Sequence, residues 1–306
     1  MKVFIFGRGG FVGQHLSHYL SSQGIDVVGV SSSDLYGICP LTGILSNQFS
    51  IPPETNTVIY LAQSPFYRQT PEKANHLLNV NLVSAVQVAE IARQSKVKRF
   101  IYTSTGNVYS PSFLPLSEND SLNRTNWYAL SKIHAEEALS LFKNDMDIMI
   151  IRLFGVYGVG QTDKLIPNLL NSILHGNKIF VDRNLQDPQD VNGLKLSLIY
   201  IEDLVKIISQ CIYIDKTGIN TINISSHEII SVRNIVKHIG NILDQHIEVE
   251  VRDQHRNSNL IADTNLLQRK LNHIFIPFEQ GIRLVVEQEL QKAVRNNFFG
   301  TNIISK

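Results

Sequence analysis

The chain has 306 residues, of which 43% are hydrophobic and 18% charged, with a formal net charge of +1. That is enough apolar material for one large α/β unit or two lobes, and the near-neutral charge argues against nucleic acid as a partner. Its two cysteines, Cys39 and Cys211, lie far apart without metal-ligand spacing, so a reduced, cytoplasmic setting is expected. Residues 2–6 form a short apolar run, the pattern of a fully buried strand. Met1 and Lys2 lead straight into that run, which leaves no room for a signal peptide, and no stretch reaches the about 18 apolar residues of a membrane span. Gly7, Gly10 and Gly13 follow at three-residue intervals, and Phe11, Val12, Leu16, Tyr19 and Leu20 then take helical spacing. Strand, glycine turn and helix in this order let backbone approach a ligand closely, and helix N-terminal amides favour a diphosphate. The spacing is GxxGxxG rather than GxGxxG, and a tight βα turn without a ligand is the plainer alternative.

Residues 25–30 read as a second strand whose end, in a dinucleotide-binding fold, meets the adenosine ribose. The end is Ser31-Ser32-Ser33, with no carboxylate against a 2′-phosphate, and Arg8 is available to pair with one. This leans towards NADP over NAD; the alternative is that Asp34 or backbone binds the ribose of NAD. Residues 34–56 are irregular. A strand is predicted over 57–62, one long helix over 71–95, a strand over 99–103, a helix over 127–142 and a strand over 147–153. Strands alternating with helices predict a parallel, doubly wound Rossmann-type sheet, with ligands at the carboxyl ends of its strands. In the second half, helices are predicted over 164–175, 202–212, 231–243 (with Ser231 as N-cap) and 278–294, strands over 198–201, 220–224 and 246–251, and a polar loop or hairpin over 179–196. The expected division is a dinucleotide-binding domain over 1–155, to which 197–224 returns, and a smaller α/β substrate lobe over 156–306.

Tyr128 and Lys132 stand at i and i+4, on one helix face, where a lysine cation would favour the phenolate and make Tyr128 usable as an acid or base. Alone, such a pair is more often a surface feature. Thr103-Ser-Thr105 ends a predicted strand, where hydroxyls either bind a substrate oxygen or satisfy a turn.

Glycine turn, hydroxyl strand end and Tyr-x-x-x-Lys occur in order, each in its own element. With them the chain resembles the extended short-chain dehydrogenase/reductase family, in its NAD(P)-dependent epimerase/dehydratase branch acting on nucleotide sugars. The resemblance covers nearly the whole chain. It rests on Gly7-Arg-Gly-Gly-Phe-Val-Gly13, Tyr60-Leu61-Ala62, Asn81, Thr103-Ser-Thr-Gly-Asn-Val-Tyr109, Arg152-Leu-Phe-Gly-Val-Tyr-Gly158, Ile199-Tyr-Ile-Glu-Asp203, Asn223-Ile-Ser and Pro277-Phe-Glu-Gln-Gly281. It implies catalysis by Thr105, Tyr128 and Lys132. It implies a cofactor held by Gly7, Arg8, Gly10, Phe11, Val12, Gly13, Ser31, Leu61, Ala62, Tyr128 and Lys132. Tyr128 would exchange a proton with a sugar hydroxyl or ketone, Lys132 would lower the Tyr128 pKa and bind the nicotinamide ribose, and Thr105 would fix the reacting oxygen. Family members commonly pair as homodimers through two helices, here 71–95 and 126–143.

Several positions depart from the family pattern. The family's Asn three residues after Arg152 is Gly155, and its diphosphate-gripping Arg aligns with Leu196 beside Lys195. The resemblance therefore implies that a nucleoside diphosphate is held differently or not at all. The dehydratases follow the threonine with Asp-Glu; here Gly106-Asn107 follows Thr105, which argues against dehydration. Epimerisation and ketone reduction both remain open, beside a non-catalytic dinucleotide-binding protein of regulatory or structural type. His15 and His18 are spaced for a metal on one helix face, but no third ligand is visible, and no metal site is expected.

Overall fold

The computed structural model describes residues 1–214 and 220–300. The chain runs β1 (Lys2–Phe6), α1 (Phe11–Ser22), β2 (Asp26–Val30), β3 (Thr55–Tyr60), α2 (Ala74–Leu78), α3 (Ser84–Gln94), β4 (Arg99–Thr105), α4 (Trp127–Ser140), β5 (Asp147–Leu153), β6 (Gly155–Tyr157), α5 (Leu165–Leu174), β7 (Ile179–Asn184), β8 (Lys195–Tyr200), α6 (Ile201–Cys211), β9 (Thr221–Ile224), β10 (Ile229–Ser231), α7 (Val232–Leu243), β11 (Val249–Arg256), α8 (Asn265–Lys270) and α9 (Phe278–Gly300).

Six parallel strands form the central sheet in the order β2-β1-β3-β4-β5-β9. Side chains alternate between its faces, so an unbroken apolar run fills both. Val3, Ile5, Ile59, Ile101 and Ile151 pack with Leu16 and Leu20 of α1 and Leu204, Ile207 and Ile208 of α6. Phe4, Phe6, Val58, Tyr60, Phe100, Tyr102 and Ile150 pack the other face with Val88, Ala89 and Ala92 of α3 and Ala135 and Leu139 of α4. Two small sheets lie outside this layer: β10-β8-β6, and the parallel pair β11-β7. After β8, α6 covers the central sheet beside α1, and β9 becomes its edge strand next to β5. Ser231 caps α7 as its sequence predicts, its hydroxyl accepting from the Asn234 amide.

The structure corrects the single helix predicted over 71–95. A π-helical turn, Asn79–Val83, separates α2 from α3. Two tyrosines explain the widened turn. Tyr60 and Tyr102, fully buried on the aromatic face of the sheet, donate to the carbonyls of Val80 and Asn81, each at 2.6 Å. Burial pushes both phenols well above their usual range, so they stay protonated donors. Asn81, inside the turn and fully buried, accepts from the Ser64 amide (3.2 Å) and donates to the Ser131 hydroxyl (3.0 Å). It thereby ties the loop after β3 to the helix that carries Tyr128. A π turn at such a junction fits the general placement of these irregularities near functional sites. The polar loop or hairpin expected over 179–196 instead holds β7 over Ile179–Asn184, paired in parallel with distant β11 rather than in a hairpin, and the strand predicted over 246–251 lies at Val249–Arg256. Ile179 and Val181 are buried in period-2 spacing, but exposed Phe180 between them and the polar Asp182-Arg183-Asn184 after them break the alternation in sequence.

Candidate active site

The turn after β1 meets the demands of close backbone approach. Gly7 has φ +93°, and a Cβ there would stand 2.8 Å from the Ala62 amide nitrogen. At Gly13 a Cβ would lie 2.3 Å from the Gly7 carbonyl, so α1 can pass beneath the turn only without a side chain. Gly10 is the N-cap of α1 and makes no side-chain cap, which leaves the first amides of a twelve-residue helix to a ligand. Phe11 and Val12 line a cleft of about 660 Å³ with Gly7, Gly10, Gly13 and Leu61. A second hollow of about 370 Å³, bordered by Gly7, Gly9, Ser31, Ser32, Leu61, Ala62 and Cys39, adjoins it beyond the turn. A turn that glycine keeps bare, an uncapped helix start and two adjoining hollows fit a dinucleotide, with its diphosphate at Gly10 and its two ends in the hollows.

At the end of β2, Asp34 turns back on Ser31. Its carboxylate accepts from the Ser31 amide (2.6 Å) and hydroxyl (2.8 Å), and the Ser31 hydroxyl also meets that of Ser33 at 2.8 Å. These hydrogen bonds, with the Arg8 guanidinium nearby, hold the Asp34 carboxyl below the usual range. Of the two sequence alternatives for this strand end, the serine run or Asp34, the fold brings both together: a turn carries the residue 34 carboxylate back to Ser31.

Thr105 and Tyr128 line the same cleft. Thr105 closes β4, and its Oγ1 accepts from the Asn107 amide (3.2 Å) and Nδ2 (3.1 Å), which leaves its own proton free to donate. Asn126 caps α4, its side chain accepting from the Ala129 amide, and so starts the helix one residue before Tyr128's turn faces the cleft. The Tyr128 hydroxyl donates to Gln63 Oε1 at 3.0 Å, and Tyr67 packs against the Tyr128 ring at 5.4 Å between centroids. Gln63 and Tyr67 sit in the irregular segment after β3, which carries no periodic signal and was not foreseen.

Lys132 sits differently from its sequence expectation. Its side chain is 2% exposed, its Nζ donates to the Thr103 carbonyl at 2.8 Å, and it lies 4.7 Å from the Tyr102 ring centroid. Burial pulls its pKa down to about 7, while Glu136 one turn later pulls the other way. The Tyr128 phenol is pushed up to about 12 by burial, with the Thr105 hydroxyl opposing and the Tyr67 phenol adding to the rise. The lysine is thus engaged with strand β4, and burial governs the tyrosine.

Beneath this pair lies a buried polar network. Glu136 accepts from Arg152 Nη2 at 2.6 Å and from the Ser104 hydroxyl, and Arg152 Nη1 donates to the Tyr109 hydroxyl at 2.9 Å. Tyr109 donates in turn to Asn223 Oδ1 at 2.6 Å, so α4, β5, β9 and the loop after β4 are joined behind the cleft. The motif positions Arg152 and Asn223 serve this network.

The substrate side of the cleft is apolar where the family pattern is polar. Leu196, Leu198, Leu260, Phe154 and Val156 line it. A Cβ at Gly155 would lie 2.2 Å from Leu198 Cδ2, so Leu198 fills the place of any side chain there. Lys195, on the opposite face of β8 from Leu196, pairs with Asp190 at 3.0 Å. His15 donates through Nε2 to the Val159 carbonyl at 3.2 Å. Among the described residues no group of three His, Cys, Asp or Glu side chains could hold a metal ion, and no helix is long and apolar enough to cross a membrane.

Residues 3–225 match the NAD dependent epimerase/dehydratase family. The chain belongs to that family. It is 25% identical over 301 residues to the uncharacterized UDP-glucose epimerase YtcB of Bacillus subtilis (strain 168), covering 89% of this chain and 92% of that protein. Its fold superposes on MoeE5 in complex with UDP-glucose and NAD with a TM-score of 0.78 at 21% identity, over 96% of this chain and 100% of that one. It superposes equally, with a TM-score of 0.78 at 23% identity over 95% and 98% of the two chains, on the NAD-dependent NDP-hexosamine 5,6-dehydratase TunA. Membership of this epimerase/dehydratase family accounts for the Rossmann-type sheet and the glycine turn. It leaves epimerisation and dehydration to be distinguished by the cleft itself.

Proposed function

We propose that the chain is an NAD-dependent epimerase of a nucleotide-linked sugar. The observation that carries this is the pairing of Thr105 and Tyr128 on a cleft whose lining, among the described residues, includes no carboxylate. Elimination of water needs an acid and a base besides the tyrosine; exchange of a proton with one sugar hydroxyl needs only the tyrosine and a partner that fixes the oxygen.

Tyr128 takes the proton of the sugar hydroxyl and gives it back after the intermediate ketone turns over. Thr105 donates to the same oxygen and holds it within reach of the phenol. Lys132, buried against Thr103 one helical turn from Tyr128, supplies in its protonated form the positive charge that offsets the Tyr128 phenolate. Gly7, Gly10 and Gly13 with the start of α1 hold the diphosphate of the dinucleotide. A nicotinamide bound there supplies a reversible acceptor for the hydrogen and electron pair removed with the sugar's C–H bond.

The sequence leans only slightly towards NADP over NAD; the folded strand end favours NAD. Asp34 puts a carboxylate held in its charged form beside Ser31, where an adenosine ribose arrives, and a 2′-phosphate would meet it charge to charge. MoeE5, of the same fold, was solved with NAD. NADH should bind at least about tenfold more tightly than NADPH, a gap of about 1.4 kcal/mol. Asp34→Ser should narrow that gap. Fluorescence titration of the purified protein with each reduced dinucleotide reads both numbers, and equal binding in the parent chain would refute the assignment.

The reaction itself is tested by incubating the NAD-loaded protein with UDP-glucose and resolving the products by nuclear magnetic resonance. An epimerised sugar with no net change at 340 nm is the expected result. A stoichiometric change at 340 nm with an oxidised or reduced sugar would replace the epimerase by a dehydrogenase or reductase.

A further inference from the structure

We propose that Arg68 and Lys164 form the diphosphate grip of this cleft, standing in for the two family positions that Gly155 and Leu196 leave without a polar side chain. The inference rests on the nucleotide-sugar assignment above and adds the residues that select an anionic substrate.

Among the described residues that line the cleft, Arg68 and Lys164 are the only arginine and lysine, and no carboxylate accompanies them. They come from opposite sides. Arg68 belongs to the loop after β3, and Lys164 is the N-cap of α5 in the second half of the chain. Both gather on one ring. The Arg68 guanidinium lies 5.2 Å and Lys164 Nζ 4.7 Å from the Tyr67 centroid, and Lys164 also donates to the Tyr67 hydroxyl at 2.9 Å. Tyr67 in turn packs on Tyr128. Among the described residues neither cation has a carboxylate within 4 Å, whereas the other cations near the substrate side are committed. Lys195 and Arg256 both pair with Asp190, at 3.0 and 2.6 Å, and Asp190 is held well below the usual carboxylate range by them and by the Asn192 amide.

Two like charges gathered on one ring without a counter-ion repel, and a bound anion reverses that cost. Lys164 also opens α5 and makes no side-chain cap, which leaves the Leu165 and Ile166 amides next to it in sequence without a capping side chain; Pro167 brings none. A planar guanidinium and a point-charge ammonium from two walls suit a phosphate group with several oxygens. The remaining substrate wall, with Leu196, Leu198 and Leu260, cannot bind one. Because Tyr67 touches both the cations and Tyr128, the anion is placed close to the reacting sugar. The same chemistry would accept a carboxylate on the sugar ring, and the test separates the two sources.

The NAD-loaded protein and its Arg68→Gln and Lys164→Gln variants are titrated calorimetrically with inorganic pyrophosphate, UDP-glucose and free glucuronate, with NAD binding measured as a control of folding. Each variant should lose at least about tenfold in affinity for pyrophosphate and UDP-glucose while keeping its NAD affinity. Unchanged affinity for both ligands, or a parent chain that binds neither pyrophosphate nor UDP-glucose, overturns the proposal. Loss confined to glucuronate overturns it in favour of a sugar carboxylate. Pyrophosphate binding that depends on Lys164, in a protein that neither binds nor epimerises UDP-glucose, keeps the grip and removes the epimerase assignment instead.

Discussion

Lys132→Met is expected to stop turnover and at the same time stabilise the ligand-free protein. The two effects share one cause. The ammonium is 2% exposed and its pKa is pulled down to about 7 by burial. In the unfolded chain a lysine titrates near about 10.4. A basic group with a depressed folded pKa binds fewer protons in the native state between those two values, so folding stability rises with pH across that window, by up to about 1.4 kcal/mol per pH unit. At and below pH 7 the penalty is fully present. Methionine removes it, at the loss of the hydrogen bond to the Thr103 carbonyl, for a net gain on the order of 2–4 kcal/mol at pH 7. Urea unfolding at pH 7 and pH 9.5 measures this: the parent chain should gain stability with pH through that interval, and the variant should lose most of the slope. Catalysis moves the other way. In the proposed mechanism the Lys132 cation offsets the Tyr128 phenolate, so its removal should lower kcat by about 10²–10⁴. A variant that unfolds more easily than the parent at pH 7 would show that the lysine is not held at the cost of burial.

Glu136 and Glu137 make a paired test of the network behind the cleft. They are adjacent on α4 and each binds an arginine, Glu136 to Arg152 at 2.6 Å and Glu137 to Arg124 at 2.7 Å. The first pair's side chains are 8% and 6% exposed, the second pair's 54% and 51%. Glu136→Ala strands the Arg152 guanidinium in the interior and removes the acceptor of the Ser104 hydroxyl, which should cost about 3–5 kcal/mol. Glu137→Ala leaves its arginine in water and should cost at most about 1 kcal/mol. Chemical denaturation of the two variants compares them directly; equal losses would mean that the inner pair is solvated in solution. Glu136→Ala should also lower the Lys132 pKa further, because Glu136 is the group that raises it.

Much of this architecture is written locally. The run 2–6, the three glycines and the helical spacing from Phe11 to Leu20 specify strand, turn and helix through contacts within a few residues, and β1, α1, β4, α4 and β5 lie where those patterns put them. The order of the glycine turn, Thr105 and Tyr-x-x-x-Lys132 is likewise a property of the linear chain, and it sufficed to identify the family. Features that depend on residues far apart were not legible. The π turn at Asn79–Val83 follows from two tyrosine hydroxyls donated by the sheet, which no pattern within 71–95 contains. Gly155 reads as a missing asparagine, yet only the packed structure shows Leu198 in its place.

The parallel Rossmann-type sheet, the glycine-lined turn and the shared helix of Tyr128 and Lys132 are legible in the chain, because backbone periodicity and i,i+4 spacing need no knowledge of distant residues. Only the tertiary structure decided their electrostatic state. Burial is a property of the whole fold: it makes Lys132 a desolvated group on Thr103, and the packing of two distant segments gathers Arg68 and Lys164 on Tyr67 with no carboxylate among the described residues beside them.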